Sequence, residues 1–235
     1  MRHDEIISSL VAELAPVRRL RSADTRASLW AGLAILCVGL GCYGLGTRAD
    51  LPRKLLDIHY LAESAALVAM AALAARNVFH GSVPGAARSP ALRSAPALAS
   101  LVWIMLVVLR GLAGPREIAS SWDMGLSCVD RIAGLAFVPA VAIFAMLRRA
   151  APTMHRRTGL LSLVAAAALG VVGTQLLCAK DESAHVLIWH AGPLALAALV
   201  GFAAGRPLLM PASSWCIHRD AVDDNDRNGD AVRHR

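Results

Sequence analysis

The sequence predicts an all-α integral membrane protein with six transmembrane helices, both termini in the cytoplasm and a short amphipathic N-terminal helix. Three observations carry that prediction. Hydrophobic residues make up 56% of the 235-residue chain and charged residues only 17%, where a soluble domain is about a quarter charged. The apolar residues gather into runs of about 20, the length that crosses a bilayer at 1.5 Å rise per residue. The basic residues lie between those runs and favour alternate connections. The formal charge is +7, from 24 Lys+Arg against 17 Asp+Glu. A nucleic-acid binder spreads such charge over a solvated face, and this chain has none to offer. A soluble enzyme and a soluble DNA-binding module are both excluded, and no direct nucleic-acid contact is expected.

Residues 1–26 precede the membrane domain. Ile6, Ile7, Leu10, Val11, Leu14 and Val17 recur at helical spacing, with Asp4, Glu5, Ser9 and Glu13 elsewhere on the wheel. Pro16 ends or kinks that helix, and Arg18, Arg19 and Arg21 follow it. Two readings fit: a helix lying on the inner leaflet, or a docking helix for a cytoplasmic partner with an apolar groove. Membrane-surface helices carry Lys/Arg on their polar face, whereas this one carries acids there.

The membrane domain covers 27–206. Its first span is the uncharged run 27–47, and the second is 55–75, with Asp57, His59 and Glu63 in its first half. The third covers 95–113, where Arg110 can snorkel to the interface. The fourth is 127–147, with Asp130 and Arg131 near its start. The fifth, 158–179, has no charge before Cys178, and the sixth, 184–205, holds His185 and His190. Each is expected to be helical, because lipid offers a lone segment no other way to satisfy its backbone. The N-terminal segment, the two connections on its side and the C-terminal segment hold 17 basic residues against seven on the other side. That split places both termini in the cytoplasm. Nothing at the N-terminus resembles a cleaved signal peptide, since the apolar run starts only at Ala27 and is long enough to span. The tail, 207–235, is polar and acid-rich beyond Ser213 and reads as disordered. Its Asp224-x-Asp226-x-Asn228-Gly229 stretch opens like a calcium loop, but Arg235 stands where a bidentate Glu is required.

Five cysteines are present, none in a C-x-x-C pair, which argues against a thiol oxidoreductase and a closed four-Cys zinc site. Cys128 lies 21 residues before Arg149 and Cys178 lies 21 residues after Arg157. At helical rise each is roughly 31 Å from the connecting arginine loop, so both reach the outer face at matching depth. Such a pair can form a disulfide, hold a soft metal as thiolates, or simply pack as small hydrophobes. Cys37 and Cys42 read as packing residues, and Cys216 has no visible role. His185 and His190 lie close to the same face and stand as candidate accessory metal ligands. Five positions apart on an α-helix, they are not expected to share a face. Asp57 and Arg131 read as buried polar groups that pin helices together. Glu63, His185 and His190 also fit the polar path of a small transporter, although no inverted repeat is visible. A haem held by His59 and His190 is a further, poorly supported alternative. Trp122 and Trp189 fit an outer aromatic belt and Trp30 an inner one.

The run Cys178-Ala-Lys-Asp-Glu-Ser-Ala-His185-Val-Leu-Ile-Trp189-His190 resembles the most recognisable stretch of the NrsF-type membrane anti-sigma factors. Leu10-x-x-x-Leu14-x-Pro16-Val17-x-x-Leu20, Ser121-Trp122 ahead of Cys128, and the paired arginines between spans four and five agree with it. The likeness covers roughly residues 5–210 and leaves out the acidic tail. It implies a non-enzymatic protein of the bacterial inner membrane whose N-terminal cytoplasmic segment sequesters an extracytoplasmic-function sigma factor. It also implies that Cys128 and Cys178 face the periplasm and sense metal or oxidative stress, with a soft or transition metal ion as signal rather than obligatory cofactor. The resemblance decides the reading of residues 1–26 for the docking helix. Ile6, Ile7, Leu10, Val11 and Leu14 are then expected to cover a groove on the sigma factor, with Arg18, Arg19 and Arg21 near its acids.

Overall fold

A computed structural model describes residues 20–83, 90–113, 122–150, 152 and 154–210. Six of its helices are long and apolar enough to cross a membrane, and they correspond to the six apolar runs. Helix α1 (Ala23–Leu45) starts where Ser22 Oγ accepts the Thr25 N–H at 3.1 Å, which satisfies one of the free first-turn donors. A single turn, α2 (Leu51–Lys54), follows, with Pro52 in its first turn. Helix α3 (Ile58–Gly81) is N-capped by Asp57, whose carboxylate accepts the His59 N–H at 3.0 Å. Helix α4 (Pro90–Ala113) opens on a proline, whose missing N–H is no loss at a helix start. Helices α5 (Trp122–Arg148), α6 (His155–Leu177) and α7 (Ser183–Leu209) complete the bundle.

Several boundaries differ from the sequence reading, each for a local reason. Asp57 caps the second span instead of lying inside it. That span runs on past Ala75 to Gly81 because its polar end finds partners: Arg76 and His80 both reach Asp24 of α1, at 3.8 and 2.8 Å. Cys178 terminates α6 rather than sitting within it, in extended backbone at the C-cap.

The bundle is built around α6, which packs on α7, α3, α5 and α1. Its sequence explains that position. Lipid gives apolar helices little reason to associate, so close backbone approach between small residues does much of the work. Ala165 to Ala168 are buried, and side-chain carbons at Gly170 and Gly173 would collide with α5 and α1, 2.6 Å from the Ile132 carbonyl and 2.8 Å from Val38. At the other end Gly159 of α6 meets Gly201 and Gly205 of α7 with backbone against backbone. Large apolar side chains such as Leu36, Leu101 and Leu199 face outward, toward where lipid would be. Trp30 does not join an aromatic belt. It is 1% exposed, and its Nε1 donates to the Pro139 carbonyl at 2.9 Å, so it ties α1 to α5 inside the bundle.

Candidate functional site

Where α6 ends and α7 begins, the chain assembles two sulfurs and two imidazoles. Cys128 comes from the first turns of α5, Cys178 from the C-cap of α6, and His185 and His190 from the start of α7. Four donor atoms, one from each residue, all lie within 4.8 Å of one another. The sulfurs are free thiols 3.5 Å apart, and His185 Nε2 is 3.5 Å from Cys128 Sγ and 3.6 Å from Cys178 Sγ. The two imidazoles meet edge to face, 5.4 Å between centroids. All four side chains are buried, none more than 6% exposed.

The histidines share a face because α7 is not a uniform α-helix. Leu187–Ala191 form a π-helical segment. Its i→i+5 hydrogen bonding stacks residues five apart, which replaces the α-helical geometry that would have separated His185 from His190. Pro193 follows directly, with no N–H to return to the Trp189 carbonyl and a ring that crowds it. Gly192-Pro193 inside an apolar run was therefore the sequence signal for this irregularity. Trp189 lies over Gly125 of α5, where any side chain would meet its ring. That contact fixes the π segment beside Cys128, one turn further along α5.

The donor set suits a soft or borderline ion. A tetrahedral site with metal–ligand distances of about 2.0–2.3 Å has edges of about 3.3–3.8 Å, close to the sulfur–sulfur and sulfur–nitrogen separations here. Neither ring nitrogen of His190 makes a hydrogen bond among the described residues, although the side chain is 1% exposed. Its interaction with the Cys178 sulfur falls short of full hydrogen-bond geometry, which leaves this buried imidazole under-satisfied. Two thiols at this spacing can equally lose two protons and two electrons to an oxidant and join as a disulfide.

An ionic clamp holds the loop that carries Cys178. Arg48, three residues past α1, has its side chain 1% exposed. Its Nη1 donates to the Cys178 carbonyl and to Asp181 Oδ1, both at 2.8 Å, and its Nη2 donates to Asp181 Oδ2 at 2.8 Å. Asp50 takes the remaining edge, at 2.6 Å from Nε and 2.9 Å from Nη2. The Arg48 N–H meanwhile caps α6 at the Leu176 carbonyl, at 3.0 Å. Hydrogen bonds from Arg48 to Asp181 and Asp50 hold the guanidinium above its ordinary pKa. Burial alone would raise the Asp181 carboxyl, but bonds from Arg48 and from Lys54, whose Nζ is 2.8 Å away, leave it below its usual value. In the sequence, Arg48 and Asp181 are visible only as loop charges.

The remaining candidates fall elsewhere. Glu63 is buried in α3 and pairs with Arg110 of α4 at 3.2 Å, apart from the four-residue cluster. His59 is exposed at the start of α3, and it does not join His190. Asp130 is exposed and Arg131 half-buried, so neither pins helices from within the core. Cys42 is buried against the Gly173 carbonyl, as a packing residue would be. Ile6, Ile7, Leu10, Val11, Leu14, Arg18 and Arg19 lie outside the described residues, as do Cys216 and the tail from 211. Arg21 is described and exposed, just before the Ser22 cap of α1. No curated protein and no solved structure matches the chain. Residues 10–210 match the NrsF family, negative regulator of sigma F, and the chain belongs to that family.

Proposed function

We propose that this member of a family of sigma-factor regulators is an inner-membrane anti-sigma factor. Its cytoplasmic residues 1–26 hold an extracytoplasmic-function sigma factor, and the Cys128–Cys178–His185–His190 cluster faces the periplasm and releases it. The observation that carries the reading is the cluster itself: two thiols and two imidazoles, buried and mutually within ligand distance, at one end of the bundle. Binding a soft metal ion deprotonates the thiols. Alternatively, an oxidant such as a hydroperoxide removes the two thiol protons and two electrons, is itself reduced to water and an alcohol, and leaves an S–S bond. Either event favours the arrangement in which the donors meet, and a ligand shifts an equilibrium only by such a difference in affinity.

The Arg48 clamp offers a route to the partner segment. A change at Cys178 bears on Arg48 through the carbonyl that Arg48 holds, and Arg48 lies three residues past α1. The other end of α1 continues into residues 1–22, and Arg26 anchors that end to α3 through Ser82 Oγ at 3.1 Å. The partner half of the reading is tested by Leu10→Asp, which puts a charge in the middle of the apolar stripe. Sigma-dependent transcription is expected to be released at normal protein levels, and continued repression would sink the docking helix.

A further inference from the structure

The end of the bundle opposite the cluster carries a second concave feature. A cavity of about 480 Å³ is lined by Met154, His155, Arg156, Arg157, Phe202 and Arg206. It exists because α6 and α7 cross there through Gly159, Gly201 and Gly205, which brings Gly205 against the backbone of His155 and Arg156. Arg206 and Arg156 therefore converge from different helices. The first four residues of the wall are the N-cap and first turn of α6, and Met154 gives that turn no side-chain cap. Its first-turn N–H groups and the positive end of the helix dipole favour an anion.

The charges in the cavity are also unspent. Among the described residues, Asp24, Asp50, Asp57, Glu63, Asp181 and Glu182 all pair with other basic groups, and none of them pairs with Arg156, Arg157 or Arg206. Arg157 donates to the Arg93 carbonyl at 3.0 Å and Arg206 to Met210 Sδ at 3.4 Å, which leaves most of their donors available. The Arg156 guanidinium stands 5.3 Å from the centroid of the Phe202 ring, which restrains it over the apolar wall. Phe202 and the rest of that wall continue along α7 into the lipid-facing surface, where Leu199 is 68% exposed.

We propose that this cavity binds the phosphate of an anionic phospholipid, the headgroup among the arginines and the acyl chains along Phe202 and Leu199. A forked guanidinium pair matches phosphate geometry, and basic pockets between spans at a membrane surface are where acidic headgroups lodge. The apolar wall distinguishes a lipid from free phosphate, which would gain nothing from it.

Native mass spectrometry of the full-length protein in detergent, titrated with phosphatidylglycerol or phosphatidylcholine, tests this. The wild type is expected to retain one phosphatidylglycerol in preference to phosphatidylcholine, and the R156Q/R206Q variant to lose roughly thirtyfold of that preference, one increment per arginine. R76Q removes an arginine that pairs with Asp24 instead, and is expected to keep it. Equal retention of both lipids, or an equal loss in R76Q, would show only general surface charge and overturn the site. Excess inorganic phosphate should leave the lipid adduct in place; its displacement would make this a soluble-phosphate site and overturn the lipid assignment. If phosphatidylglycerol binds only after Asp220, Asp223, Asp224, Asp226 and Asp230 are changed to Asn, the acidic tail is the occupant and the proposal fails.

Discussion

Arg48 donates to the carbonyl oxygen of Cys178 at 2.8 Å, across 130 residues of sequence. The residue that leaves the first span thus holds the backbone of a residue whose side chain belongs to the thiol–imidazole cluster. Arg48→Met keeps much of the aliphatic stem but strips Asp181, Asp50 and the Cys178 and Ala179 carbonyls of their donor. The loss is expected to be about 2–3 kcal/mol, below that of a fully buried pair because the two aspartates are partly exposed. Unfolding in detergent measures it, and maleimide labelling of Cys178 should accelerate as the loop loosens. A variant with wild-type stability and wild-type labelling would show that the clamp holds nothing.

The same clamp gives a pH dependence with a definite sign. The folded-state pKa of Asp181 is depressed below its ordinary value, which is about 3.9 in an unfolded chain. Its contribution is therefore complete above about pH 4 and is lost as pH falls through the folded value. The unfolding midpoint should hold between about pH 7 and 5 and drop below about pH 4. Asp181→Asn should flatten that acid limb, and an identical limb in the variant would exclude Asp181 as its source.

Metal binding and folding separate at His190. Replacing it by Leu removes a buried imidazole with no hydrogen bond among the described residues, so the fold should be unharmed or gain up to about 1 kcal/mol. Cadmium or zinc affinity should nevertheless fall about tenfold or more with a ligand gone. The Cys128→Ser, Cys178→Ser double variant should lose both metal binding and the transcriptional response to metal or oxidant. A double variant that responds like wild type would move the sensor elsewhere.

Gly159→Ala addresses the bundle's closest crossing. The added carbon would meet the Gly201 carbonyl and the backbone of Gly205, which cannot rotate away as a side chain could. A destabilisation of about 2–3 kcal/mol is expected. Gly134→Ala, with open space where the carbon would go, serves as the neutral control on the same thermal assay.

Much of this architecture is legible in the residues alone. An uncharged run such as 27–47 has one physical fate, and the matched depth of Cys128 and Cys178 follows from counting residues to the arginine loop between their helices. What the counting missed depended on departures from the uniform helix it assumed. A constant 100° per residue puts His185 and His190 on different faces, but the segment between them winds differently. Residue type alone assigns Trp30 to an interface, although its Nε1 reaches the Pro139 carbonyl inside the bundle. Arg48 and Asp181 looked like orientation signals because loop charges usually are. Only the fold brings them within reach across 133 positions. The Gly201-x-x-x-Gly205 spacing is a helix-crossing signal, but it does not stand out by pattern alone among the chain's 18 glycines.

The π segment of α7 also sets a phase relation along the whole helix. On an unbroken α-helix, His185 and Gly201 would point about 160° apart, and His185 and Gly205 about 200° apart. Both ends of α7 must nevertheless meet α6, the histidines at Cys178 and the glycines at Gly159. The extra residue held in the wider turn takes up about one residue's rotation and brings those angles to about 60° and 100°. Like a single shim in a long shaft, Leu187–Ala191 lets one rigid rod engage two fittings that a straight thread would have set on opposite sides. Removing one residue there would scarcely shorten α7, yet the helix could then seat its histidines or its glycines, and not both.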